Sequence, residues 1–205
     1  MKGESIKNLK KIKIRDNRES PVDFKKVCPK IIIGLIPRRL KKEKSLYARK
    51  TVAKMLKKAQ RFLPKCYQFK IIDAWRPLKE QRKYYFQELK KLRKKHSNWS
   101  ESPLKKELNK WVFPPDVGIP PAHCTGGAID LTICYKNGRS LPMEGKKAKL
   151  SPKILKNRQL LKNIMEKVGF THYSLEWWHF SYGDSGWALR KNRKTAIYGQ
   201  IHLNL

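Results

Sequence analysis

Segments with the two-residue alternation of a strand and segments with the three-to-four-residue spacing of a helix follow one another along this chain in no fixed order. "CYQFKIID" at 66–73 alternates Tyr67, Phe69 and Ile71 with polar partners, which predicts a half-buried strand ending near Arg76-Pro77. "AIDLTICY" at 128–135 alternates in the same way after a Gly126-Gly127 turn, with a further turn at Asn137-Gly138. Between the two, Leu78, Tyr85, Leu89 and Leu92 mark a helix that starts with Pro77 and runs to about Lys95. An earlier helical stripe, Leu46, Ala53, Leu56, Ala59 and Leu63, begins at Ser45 and ends before Pro64. A later one, Leu161, Ile164, Met165 and Val168, fills 154–168 with Gly169 as its C-cap. "FTHYSLEWWHFSYG" and "TAIYGQIHL" supply the last strands. Because no regular βαβ period is present, the expected class is α+β, with a mainly antiparallel sheet flanked by helices.

A chain of 205 residues has room for one well-buried core, so a single compact domain is expected. Within it, residues 1–40 read as a basic N-terminal segment packed on or leading into a domain at 41–205. The formal net charge of +33 leans toward the N-terminal third. Such a field draws nucleic acid, anionic membrane or anionic wall polymer alike through counterion release, so it names no specific nucleic-acid partner. The four cysteines form no C-x-x-C pair, which favours reduced thiols. The apolar run "IIIGLI" at 31–36 is too short and too deep for a signal segment, and nothing approaches the ~20 apolar residues of a membrane span. A cytoplasmic protein is the default expectation, with periplasmic or secreted placement as the alternative.

One stretch stands apart from the lysines. In "EWWHF", 176–180, a carboxylate and an imidazole bracket two large apolar rings. His123 closes the proline-rich loop "VFPPDVGIPPAH", and Asp130 lies seven residues on, inside the strand that follows the two glycines. His123, Asp130 and His179 form a candidate metal set: two neutral imidazoles and one carboxylate leave an open position for water, as in catalytic zinc. Nitrogen ligands favour zinc over calcium or magnesium. Glu176 is the candidate general base, and a bulge or sharp twist at Trp177-Trp178 is needed to bring it to the side of His179. Arg76, at a strand end and followed by Pro77, is the candidate cation for negative charge developing on a carbonyl oxygen. Taken singly, each of these residues has an ordinary structural role, as have His96, His172 and His202; the joint pattern carries the reading.

"AHCTGGAID" resembles the H-x-x-G-x-A-x-D element, and "EWWHFSYGD" the E-x-W-H element, of the VanX-type zinc D-alanyl-D-alanine dipeptidase family. "DAWRP" resembles that family's arginine-bearing segment, and "NRQLLKNIMEKVGF" the helix before its last site strand. The resemblance covers roughly residues 66–187. It implies one zinc ion per chain on His123, Asp130 and His179, Glu176 as base, Arg76 as transition-state stabiliser, and a fold shared with D,D-carboxypeptidases and the hedgehog signalling domain. Two departures stand out. Pro121 occupies the place of a family serine, and "MEGKKAK" at 143–149 lacks the aspartate that holds the substrate's free ammonium in the family, which leaves Glu144 as the expected substitute.

The expected activity is therefore zinc-dependent hydrolysis of D-Ala-D-Ala or a related small peptide. One alternative is a zinc D,D-carboxypeptidase or endopeptidase acting on peptidoglycan stem peptides, its basic surface touching anionic wall polymer. The other is a non-catalytic basic binding protein on the same fold.

Overall fold

The computed structural model describes residues 4–34, 46–145 and 150–202. Ser45, Leu35, Ile36 and the lysines of "MEGKKAK" lie outside the described residues. In chain order the elements are α1 (Ile6–Leu9), β1 (Lys13–Ile14), β2 (Pro21–Asp23), α2 (Phe24–Val27), β3 (Ile32–Ile33), β4 (Tyr47–Arg49), α3 (Lys50–Gln60), β5 (Tyr67–Asp73), α4 (Leu78–Lys95), α5 (Glu101–Leu108), β6 (Ala128–Tyr135), α6 (Pro152–Lys167), β7 (Thr171–His172), β8 (His179–Ser181), α7 (Ser185–Arg190) and β9 (Thr195–Ala196).

The class is α+β, and the central sheet has the order β3-β5-β6-β8-β7, antiparallel at every pair except β3 with β5. On one face Phe69 and Ile71 of β5 and Ile129, Leu131 and Ile133 of β6 meet Val52, Leu56 and Ala59 of α3 and Leu161, Ile164 and Met165 of α6. Each large aliphatic side chain buried there contributes about 1.5–3 kcal/mol. β6 is buried on both faces because it is the middle strand and the site covers its second face.

The second face is set by an irregularity. Ile71 stands opposite Leu131, but Asp73 stands opposite Asp130, so the register slips by one residue at Ile72. Without that bulge Asp73 would share the core face with Ile71; with it, Asp73 faces the same side as Asp130.

Two elements differ from the sequence expectation. The helix expected from Ser45 begins at Lys50, because Tyr47–Arg49 pairs with β2 as a strand. The stretch 97–111 shows no clear periodicity, yet α5 forms there with Ser100 at its N-cap position, and Leu104 and Leu108 close a small cluster with Tyr85, Leu89 and Val112. Residues 4–34 contribute Phe24, Cys28 and Ile31 to the main core and strand β3 to the sheet.

Candidate metal centre and active site

Pro121 precedes a short 3-10 turn, Ala122–Thr125, that ends at Gly126 in the left-handed region (φ +69°). A Cβ at Gly126 would lie 2.5 Å from Ile201, and one at Gly127 2.4 Å from the Tyr182 carbonyl oxygen, so the chain reverses here only with two glycines. The turn buries His123 and leads straight into β6, where Asp130 is paired in register with His179 of β8. His123 Nε2 lies 3.3 Å, and His179 Nδ1 2.9 Å, from Asp130 Oδ1. One ligand atom from each of the three residues lies within 4.8 Å of the others, so the set is able to hold one metal ion.

The second nitrogen of His123 fixes the tautomer. Nδ1 is 2.7 Å from the Ala74 carbonyl oxygen, which only accepts, so Nδ1 carries the proton and the Nε2 lone pair faces Asp130. Burial alone would raise the Asp130 carboxyl, but His123 and His179 beside it hold it well below the usual carboxylate range.

Glu176 reaches the cluster by turns, not by a bulge in a strand. Its N–H donates to the Tyr173 carbonyl at 3.1 Å, the His179 N–H donates back to the Glu176 carbonyl at 3.2 Å, and β8 begins only at His179. Glu176 Oε2 thereby stands 3.9 Å from His179 Nδ1. Trp177 packs on the core and Trp178 lines the site cavity. Burial pushes the Glu176 carboxyl above its ordinary range, partly offset by His179, which suits a group that must take up and release a proton.

Arg76 is buried and clamped. It pairs with Asp73, its Nη1 donates to Gln81 Oε1 at 2.6 Å, and Gln81 in turn donates to the Phe113 carbonyl at 2.8 Å. Its Nε has no protein partner. A fixed guanidinium with a spare donor is what an oxygen gaining negative charge requires.

His123, Asp130, His179, Glu176 and Arg76 line a single cavity of about 310 Å³. Glu144 is not brought there: it is exposed, stands outside the lining, and its charge acts on Arg158. The lining instead includes Glu4, Tyr173, Asp184, Ser185 and Arg190, none of which is among the candidate site residues legible in the sequence. For Asp184 a signal exists, since it caps the short helix α7.

The turn before β6, β6 itself and β8 bring two imidazoles and a carboxylate to one point of an α+β body, a set able to hold a metal ion at a sheet face. The sequence narrows this further: residues 22–196 match the peptidase M15 family, described as D-ala-D-ala dipeptidase, and the chain belongs to that family. It is 33% identical over 120 residues to a D-alanyl-D-alanine dipeptidase of Synechocystis, covering 44% of this chain and 49% of that one. Against a D-alanyl-D-alanine dipeptidase of Enterococcus faecium it is 38% identical over 72 residues, 29% of this chain and 35% of that one. The match therefore spans about half the length of the first relative. Among solved structures, the LD-carboxypeptidase LdcB aligns with a TM-score of 0.48 at 16% identity, covering 87% of this chain and 75% of that one. VanYB in complex with D-alanine-D-alanine aligns with a TM-score of 0.48 at 15% identity, covering 91% and 93%. No helix among the described residues is long and apolar enough to cross a membrane.

Proposed function

We propose that this protein is a zinc-dependent dipeptidase that hydrolyses D-Ala-D-Ala or a closely related dipeptide. The observation that carries the reading is the convergence of His123, Asp130 and His179 with Glu176 and Arg76 in one cavity. The donor set, two imidazole nitrogens and one carboxylate oxygen within 4.8 Å of one another, fits zinc, which His123, Asp130 and His179 would hold. A zinc ion held there supplies Lewis acidity, which lowers the pKa of a water to about 7.

The chain's own residues do the rest. Glu176 takes one proton from the attacking water and delivers it to the leaving amine, and the second proton of that water passes to the amine from the newly formed carboxyl group, so that a peptide bond and one water become a carboxylate and an ammonium. Arg76, held by Asp73 and Gln81, offers Nε–H to the carbonyl oxygen as negative charge builds on it. Zinc as the resident metal, a small peptide as the partner and the roles of these five residues all belong to this proposal.

The test is a panel of D,D-, L,D- and L,L-dipeptides alongside muropeptides, with and without chelator, on wild type and Glu176→Gln. The expected result is chelator-sensitive cleavage of D-Ala-D-Ala, reduced about 10²–10⁴-fold in Glu176→Gln with zinc still near one per chain. Cleavage of muropeptides in preference to free dipeptides, or loss of zinc in Glu176→Gln, would overturn it.

A further inference from the structure

The end of the cavity formed by α1, Tyr173 and α7 is a cluster of oxygen acceptors short of donors. Asp184 is 1% exposed; its Oδ1 accepts from the Ser181 hydroxyl at 3.0 Å and the Trp187 N–H at 2.6 Å, while Oδ2 has no partner. Ser185 Oγ, also buried, has none either. Both residues line the cavity. A buried carboxylate oxygen without a donor is disfavoured unless a ligand supplies one.

Glu4 approaches the same place from the other end of the chain. Its Oε1 pairs with Arg190. The Arg190 guanidinium is itself held, with Nε donating to Thr171 Oγ1 at 2.8 Å and Nη2 to Ser181 Oγ at 2.6 Å. Arg190 thus anchors Glu4 to β7 and β8. A Cβ at position 186 would lie 3.0 Å from Glu4 Oε2, so Gly186 keeps the space in which this carboxylate sits. Burial raises the Glu4 carboxyl, and Asp184 adds to the rise against the pull of Arg190, so the two acids act on each other across the end of the cavity. With Arg190 counted, Glu4 and Asp184 leave this end one negative charge in excess.

The cavity's remaining carboxylates are already engaged: Asp73 with Arg76, Asp130 between two imidazoles, and Glu176 beside His179. We propose that Glu4 Oε2 and Asp184 Oδ2, with Ser185 Oγ, form a subsite for a primary ammonium, and that it receives the free N-terminus of the substrate. The three N–H donors of an ammonium match three acceptors, and its charge matches the excess. This deepens the dipeptidase reading and rests on it. Selection of a free amine then falls to a residue near the start of the chain and to the cap of α7, and not to Glu144.

Binding separates the subsite from the chemistry. Zinc-loaded Glu176→Gln protein, with and without Glu4→Gln, is titrated calorimetrically with D-Ala-D-Ala and with propionyl-D-alanine, the same molecule with hydrogen in place of the amine. Glu4→Gln is expected to weaken D-Ala-D-Ala by about tenfold to a hundredfold and to leave propionyl-D-alanine unchanged. Asp184→Asn is expected to do the same where thermal melting shows it folded. Equal weakening of both ligands, or of neither, overturns the subsite, as does failure of D-Ala-D-Ala to bind at all. Glu4-dependent binding together with a wild type that cleaves no dipeptide upholds the subsite and overturns the dipeptidase reading instead.

Discussion

The His123 ring and the Ala74 carbonyl are joined by a hydrogen bond of 2.7 Å, and two residues further along the Arg76 N–H donates to the His123 carbonyl at 3.1 Å. The stretch leaving β5 is therefore pinned to the turn that enters β6 on both sides of Trp75. One segment orients the His123 imidazole and positions the Arg76 guanidinium, so an error in either is transmitted to the other.

Arg76→Lys tests whether the guanidinium acts on the reaction. A lysine offers one compact ammonium without the planar fork, which cannot reproduce the separate positions from which the guanidinium meets Asp73 and Gln81 and points Nε–H elsewhere. The expected outcome is a fall in kcat/KM of about 10²–10³ with zinc content unchanged. Unaltered kcat with intact metal would remove Arg76 from the transition state and leave it a structural partner of Asp73.

The metal-free protein should respond to pH in the opposite sense to zinc binding. Burial works against a His123 imidazolium, but the Asp130 carboxylate outweighs it, so the folded-state pKa stands above 6.5. That contribution to stability is fully present below pH 6.5 and is lost as pH rises through the folded value. Zinc needs the imidazoles deprotonated, so the rise in Tm on adding zinc should grow over the same interval. Melting curves with and without chelator between about pH 5 and 8 check both slopes; parallel curves would show that His123 is not the linked group.

The sequence made the proposed catalytic set legible because each member sits beside a local marker. His123 and Asp130 flank a diglycine, Arg76 precedes a proline, and Glu176 and His179 bracket two tryptophans. The helix periodicities of α4 and α6 were equally plain. What the sequence hid is long-range. Nothing at Ile72 announces a bulge, since the slip exists only relative to β6. Leu46 fits the stripe that α3 continues, so periodicity alone extends that helix over the strand β4. Arg49 looks like any other of the basic residues, yet it is 3% exposed and ties Thr125, Glu19, Asp16 and Gly199 together. Glu4 likewise has meaning only through Arg190, 186 positions away.

Thiol chemistry offers a simple check on the packing around the site. Burial pushes the Cys28 thiol up to about 11 and the Cys124 thiol up to about 12, and Cys134 is raised for the same reason. Only Cys66 is exposed among the four. Ellman's reagent at pH 8 should therefore titrate one thiol per native chain promptly and all four in denaturant. Rapid reaction of Cys124 in the native protein would mean that the His123 turn opens.

The diglycine gives the sharpest separation of stability from metal binding. A Cβ on Gly127 would sit 2.4 Å from the Tyr182 carbonyl oxygen and 3.1 Å from the Tyr198 ring, and the Tyr182 N–H donates back to the Gly127 carbonyl at 3.0 Å. Gly127→Ala must push the end of β8 away from β6, the pair of strands that sets His179 against Asp130. A loss of about 1–3 kcal/mol in stability is expected from the overpacking. Gly138 provides the control, with φ +83° but no atom nearer a Cβ than Ile32 Cδ1 at 3.9 Å, at a turn remote from the cluster. Gly138→Ala should lose about 1–2 kcal/mol through its backbone alone and bind zinc like the wild type. Gly127→Ala should in addition bind zinc about 10–100-fold more weakly, since the ligands lose their mutual placement. Equal zinc affinity in the two variants would show that the β6–β8 pairing tolerates the shift and that the diglycine serves the turn alone.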